Sequence, residues 1–105
     1  MVRLERSSVR AGLSQEYFDE LIGKAASSCF GVAGLPNAGT WPRRRDVRVS
    51  EDAGGLSVEL HVLAIRGLNV TMITRGIAAR VRFTVEEATG LPVHTINIFT
   101  ACQRG

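Results

Sequence analysis

From Leu56 to Val62 apolar and polar residues alternate without a break, with Leu56, Val58, Leu60 and Val62 on one face and Ser57, Glu59 and His61 on the other. Successive side chains of an extended chain point to opposite faces, so this run reads as a β-strand with one dry face and one wet face. A lone strand cannot keep four apolar groups from water, so the chain must supply a sheet and a cover for it. Two stretches supply the cover. Phe18, Leu21, Ile22, Ala25, Ala26 and Cys29 recur at three- and four-residue spacing, and so do Val70, Ile73, Ile77, Val81, Val85 and Ala88. That spacing places each set on one stripe of an amphipathic helix. Ser14 stands where a hydroxyl caps the first helix, and Glu16, Asp19 and Glu20 suit the positive end of its dipole. Gly31 and Gly34 before Pro36 close that helix; Gly90-Leu91-Pro92 closes the second, which spans about Thr71–Thr89.

Asp46–Ser50 is a short alternating strand, joined to a strand over Leu56–Ile65 by a hairpin turn at Gly54-Gly55. Val93–Cys102 is the last strand, with Ile96 and Ile98 on one face and Val93 and Phe99 on the other. The expected fold class is α+β: a small mixed three- to four-stranded sheet with two helices packed on one face, in the order helix, strand, strand, helix, strand. Residues 1–13 form an N-terminal segment that adds a short edge strand around Arg6–Ala11, and residues 14–105 form one domain.

Composition narrows the function. Hydrophobic residues make up 45% of the chain and charged residues 22%, which is the balance of an ordinary soluble domain and excludes disorder. No apolar run reaches the roughly 20 residues of a spanning helix, and Met1–Arg6 mixes charge with apolar groups, unlike a signal peptide. A cytoplasmic protein with Cys29 and Cys102 as reduced thiols is expected. Catalytic patterns are scarce. His61 and His94 lie on strands that bring them across the sheet, but no carboxylate or cysteine spacing completes a metal site with them. No serine sits in a nucleophile elbow, and Glu86 and Glu87 point about 100° apart on a helix. The residues therefore argue against an enzyme, a cofactor and a small-molecule substrate.

The surface holds more. The net charge is +3, from twelve Arg, one Lys and ten carboxylates. Arg43, Arg44 and Arg45 beside Trp41 form a candidate loop for an anion or a partner, since guanidinium groups pair with phosphates and an indole stacks on bases. Gly31-Val-Ala-Gly34 has the outline of the Gly-x-x-Gly loop of KH domains. With the basic loop it supports a second reading, a small KH-like RNA-binding module. Leu63, Ile65, Val93 and Phe99 fall on the sheet face away from the helices, where an apolar patch marks a candidate protein interface. Glu86 and Glu87 oppose the dipole of the second helix in its last turn, a sign of a partner.

Several stretches together resemble the alkaline shock protein family. They are Phe18-Asp-Glu-Leu-Ile-Gly-Lys-Ala-Ala, Gly31-Val-Ala-Gly, Val47-Arg-Val, Leu60-His-Val-Leu-Ala-Ile-Arg-Gly-Leu-Asn-Val, Ala79-Arg-Val-Arg-Phe-Thr-Val-Glu-Glu-Ala-Thr-Gly-Leu-Pro-Val and Ile96-Asn-Ile. The resemblance covers about residues 9–102. It implies a small cytoplasmic α+β domain without enzymatic activity, linked to cell-envelope stress or homeostasis. It also implies self-association, and a membrane-anchored protein as a partner that holds the chain near the membrane. The Trp41 to Arg45 loop stands where many members carry a Gly/Lys-rich segment.

Overall fold

The computed structural model describes residues 14–37 and 46–102. The elements run α1 (Gln15–Ser27), β1 (Val32–Gly34), β2 (Val47–Asp52), β3 (Gly55–Ala64), α2 (Val70–Thr89) and β4 (Val93–Cys102). The expected edge strand in residues 1–13 and the loop from Trp41 to Arg45 lie outside the described residues.

Both helices begin on side-chain caps. Ser14 Oγ accepts a hydrogen bond from Tyr17 N at 3.1 Å, and Asn69 Oδ1 accepts one from Met72 N at 3.2 Å, each satisfying a first-turn N–H that has no partner within its helix. α2 ends at Gly90, whose φ of 72° lets its N–H reach Glu86 O at 2.9 Å. That is the left-handed cap glycine provides.

β3 is the spine of a mixed sheet. β2 pairs with it antiparallel from Val47↔Leu60 to Asp52↔Gly55, and β4 pairs with it parallel from Leu56↔Val93 to Ala64↔Cys102. β1 lies where the glycines were expected only to close the helix, and it pairs antiparallel with the last two residues of β3, Val32↔Ala64 and Gly34↔Leu63. β4 occupies one edge of β3 throughout, so β1 and β2 share the other. Among the described residues they form that edge in two pieces, interrupted after Gly34 and resumed at Val47. The interruption is fastened at its base: the buried Asp46 carboxylate accepts from Asn37 N at 3.1 and 3.2 Å and from Asn37 Nδ2 at 2.7 Å.

The dry face is the one the alternation required. Leu56, Val58, Leu60, Val62 and Ala64 are fully buried, with Val47 and Val49 of β2 beside them, under Phe18, Ile22 and Ala26 of α1 and Ile73, Ile77, Val81 and Val85 of α2. Full burial of each large apolar side chain contributes about 1.5–3 kcal/mol. Gly31, with φ of 84°, marks a close approach of the α1–β1 turn to α2; a Cβ there would lie 2.5 Å from Ile73 Cγ1. Both helices lie on this one face, as expected for the fold class.

Val93 departs from the expected alternation. It is 4% exposed and belongs to the core. The β3–β4 register shifts between Leu56↔Val93 and Ser57↔Thr95, leaving His94 as an extra residue. Such a bulge breaks the period of two, so Val93 shares the core face with Ile96 and Ile98 and is no part of a surface patch.

Candidate functional site

The other face of the sheet carries no helix among the described residues. Register places its side chains in rows. Ser50, Ser57 and Thr95 form one row and Arg48, Glu59 and Asn97 the next; then come His61 with Phe99, and Leu63 with Ala101. The face is polar at the hairpin end and apolar at the other, where Ile65 continues it beyond β3. Phe99 is 51% exposed and Ile65 40%. Of the four interface residues expected from sequence, Leu63, Ile65 and Phe99 lie together here and Val93 does not.

His61 is built into this face. Its ring stacks on Phe99 at 4.9 Å between centroids and 19° between planes, and its Nε2 lies 3.1 Å from Glu59 Oε2. His94 is occupied elsewhere, with Nε2 2.9 and 3.1 Å from the Asp52 carboxylate and Nδ1 2.6 Å from Thr95 Oγ1. The two imidazoles therefore hold separate partners, and among the described residues no three His, Cys, Asp or Glu side chains are grouped to hold a metal.

Two other sequence signals find structural roles. Glu86, read as an unbalanced charge at the end of α2, accepts a hydrogen bond from Val93 N at 2.8 Å and ties the helix to the start of β4. Gly31 precedes β1 and Gly34 ends it, where a KH Gly-x-x-Gly loop joins two helices, so they lack that setting.

Sequence reading missed a second exposed apolar group at the far end of the molecule. Phe30 is 76% exposed and Met72 67%, and Leu68 and Val70 are also exposed. The α1–β1 turn and the β3–α2 loop meet there, since Ile65 N donates to Gly31 O at 2.8 Å and Gly31 packs on Ile73. Met72 lies off the α2 core stripe, which is the one sequence signal that could have marked it. Close by, Cys29 Sγ donates to Ala25 O at 3.4 Å. Burial pushes the Cys29 thiol up, and the Arg80 guanidinium pulls it partway back. Between the helices runs an open groove of about 650 Å³, with Leu21, Ala25, Phe83 and Ala88 among its lining. No described helix is long and apolar enough to cross a membrane.

Comparison with known proteins places this arrangement. The fold is similar to that of the MamM CTD. One variant of that domain gives a TM-score of 0.64 at 13% identity, over 87% of this chain and 100% of that one. Another gives 0.62 at 14% identity, over 85% and 96%. Among curated sequences the chain is similar to the uncharacterized protein YloU of Bacillus subtilis (strain 168), at 20% identity over 98 residues, 83% of this chain and 82% of that protein. A family model matches residues 5–101, nearly the whole sequence, and its description is a cell envelope-related function. The chain belongs to the alkaline shock protein 23 family.

Proposed function

We propose that this protein is a non-enzymatic, self-associating component of the cell envelope, acting from the cytoplasmic side through protein–protein contacts made by β4 and the apolar half of the open face. The observation that carries the reading is the chemistry of β4. From Val93 to Cys102 it contains no Asp, Glu, Lys, Arg or Pro, and among the described residues it pairs with β3 alone. Edge strands of solitary proteins carry charges, prolines or interruptions that stop a further strand from adding. The β1–β2 edge has such protection, with Arg48, Glu51 and Asp52 and a break in the middle. A second copy laid antiparallel on β4 meets no like charge, and Phe99 and Ala101 carry the apolar half of the open face across the seam. The family's envelope role agrees with a small domain that works by assembling.

The test is size-exclusion chromatography with light scattering on the wild type and on Phe99→Lys/Ala101→Lys, with far-UV circular dichroism to confirm folding. The wild type is expected at a multiple of 11.4 kDa and the folded variant as a monomer. A wild type that stays monomeric at tens of micromolar sinks the reading. A nucleic-acid-rich peak that clears at high salt would turn attention to Arg43–Arg45 instead.

A further inference from the structure

We infer that the end of the molecule formed by the α1–β1 turn and the β3–α2 loop is a docking surface for an anionic phospholipid bilayer. Phe30 and Met72 hold their side chains largely in water, at 76% and 67% exposure, and Leu68 and Val70 join them. Large apolar side chains grouped at one tip are seldom left bare without a use. The charges select the occupant. Between Leu60 and Val85 the chain has no carboxylate, and it has none between Leu21 and Arg45. Within this tip and the adjoining turns of α2, Arg66 and Arg75 are both exposed. The carboxylates of Glu86 and Glu87, in the last turn of the 20-residue α2, and of Asp52, at the hairpin, belong to the opposite end.

A tip that is apolar and, among the described residues, cationic matches the chemistry of an anionic membrane surface. There, bulky side chains enter the boundary between headgroups and acyl chains while basic groups stay at the phosphates. A protein partner would have to present an acidic rim around an apolar socket to match it equally well. The family's envelope-related role places such a bilayer within reach. This surface adjoins the apolar half of the β4 seam, because β4 runs parallel to β3 and ends beside Ala64, so vesicle binding and assembly state are read separately in the test.

The test is co-sedimentation of the full chain with phosphatidylglycerol/phosphatidylcholine vesicles and with phosphatidylcholine vesicles, at low and high salt. The wild type is expected to bind the anionic vesicles, and more weakly the neutral ones or in high salt. Phe30→Ser/Met72→Ser, confirmed as folded by circular dichroism, is expected to lose binding at least ten-fold; Arg66→Gln/Arg75→Gln should lose several-fold. Absence of wild-type binding to anionic vesicles overturns the inference. So does binding that survives in the Phe30/Met72 variant and vanishes on changing Arg43–Arg45 to Gln. A Phe30/Met72 variant that changes assembly state, with no vesicle binding by the wild type, would reassign the tip to contact between copies.

Discussion

The two ends of the sheet are finished differently. At the hairpin end, side chains and backbone are stitched together: Glu86 holds Val93 N, Thr89 Oγ1 accepts from Leu91 N at 3.1 Å while donating to Val85 O, Asp52 accepts from Gly54 N at 2.8 Å and meets His94, and Leu56 N donates to Pro92 O at 2.8 Å. At the other end the loops meet through Ile65 N and Gly31 O and leave Phe30, Leu68, Val70 and Met72 in water. The first end answers its own polar groups. The second leaves apolar surface whose burial must come from outside the described fold. Stability should therefore be concentrated at the stitched end, and binding at the bare one.

The sharpest test compares glycines at the two ends. Gly55 has φ of 123°, and a Cβ there would run into Pro92 O, the acceptor of the Leu56 hydrogen bond. Gly55→Val combines a strained backbone with that collision and should cost about 3 kcal/mol or more. Gly67 has φ of 90° with open space around it, so Gly67→Ala carries only the conformational penalty of about 1–2 kcal/mol. Urea unfolding of both variants measures the difference. Equal losses would show that the two ends are not held differently.

A smaller contrast separates stitching from surface. Glu86→Ala leaves Val93 N without its acceptor at a part-buried position and should cost about 1–2 kcal/mol, while Glu86→Gln keeps an acceptor oxygen and recovers much of it. Met72→Ser removes a side chain that is 67% exposed and should move stability by no more than about 0.5 kcal/mol. Denaturant midpoints at constant slope decide it. If Met72→Ser costs as much as Glu86→Ala, the bare end contributes to folding and the division proposed here fails.

How far these ends could be read in advance depends on whether a period was kept. The Leu56–Val62 alternation and the two helical stripes announce β3, α1 and α2, and the last strand falls over Val93–Cys102 as the alternation predicts. Where one inserted residue breaks the period, at His94, the pattern put Val93 on the wrong face. β1 was hidden because three residues, the last of them a glycine, carry no periodicity; only the antiparallel partner at Leu63–Ala64 makes them a strand. Glu86 looked like a conflict with the helix dipole because its use lies seven residues on, across a turn. The bare end draws on Phe30 and Met72, distant in sequence, whose neighbours Gly31 and Ile73 pack together, so beyond the place of Met72 off the α2 stripe no local pattern pointed to it. Of the candidate interface, three of the four residues named from sequence share the open face, and the loop from Trp41 to Arg45 lies outside the described residues.

The smallest expected effect uses the two cysteines as reporters of the bare end. Cys102 is exposed at the end of β4, and Cys29 is half-buried behind Phe30 in sequence. Thiol labelling should therefore show a fast phase from Cys102 and a slow one from Cys29, assigned with Cys102→Ser. Burial favours the neutral thiol of Cys29 over its thiolate, more than the Arg80 guanidinium offsets, so its titration is displaced upward. The labelling rate of Cys29 should then keep climbing with pH above about 8.5, where a free small-molecule thiol begins to level off. The direction of the stability effect follows: the folded state prefers the protonated group, so this small contribution is present below the unfolded pKa and lost as pH rises through the folded one. A Cys29 rate that levels off with the free thiol would mean that the turn before Phe30 opens readily and that its burial is transient. The bare end would then be loose as well as unstitched, and any surface that docks there would have to order the turn before it could bind.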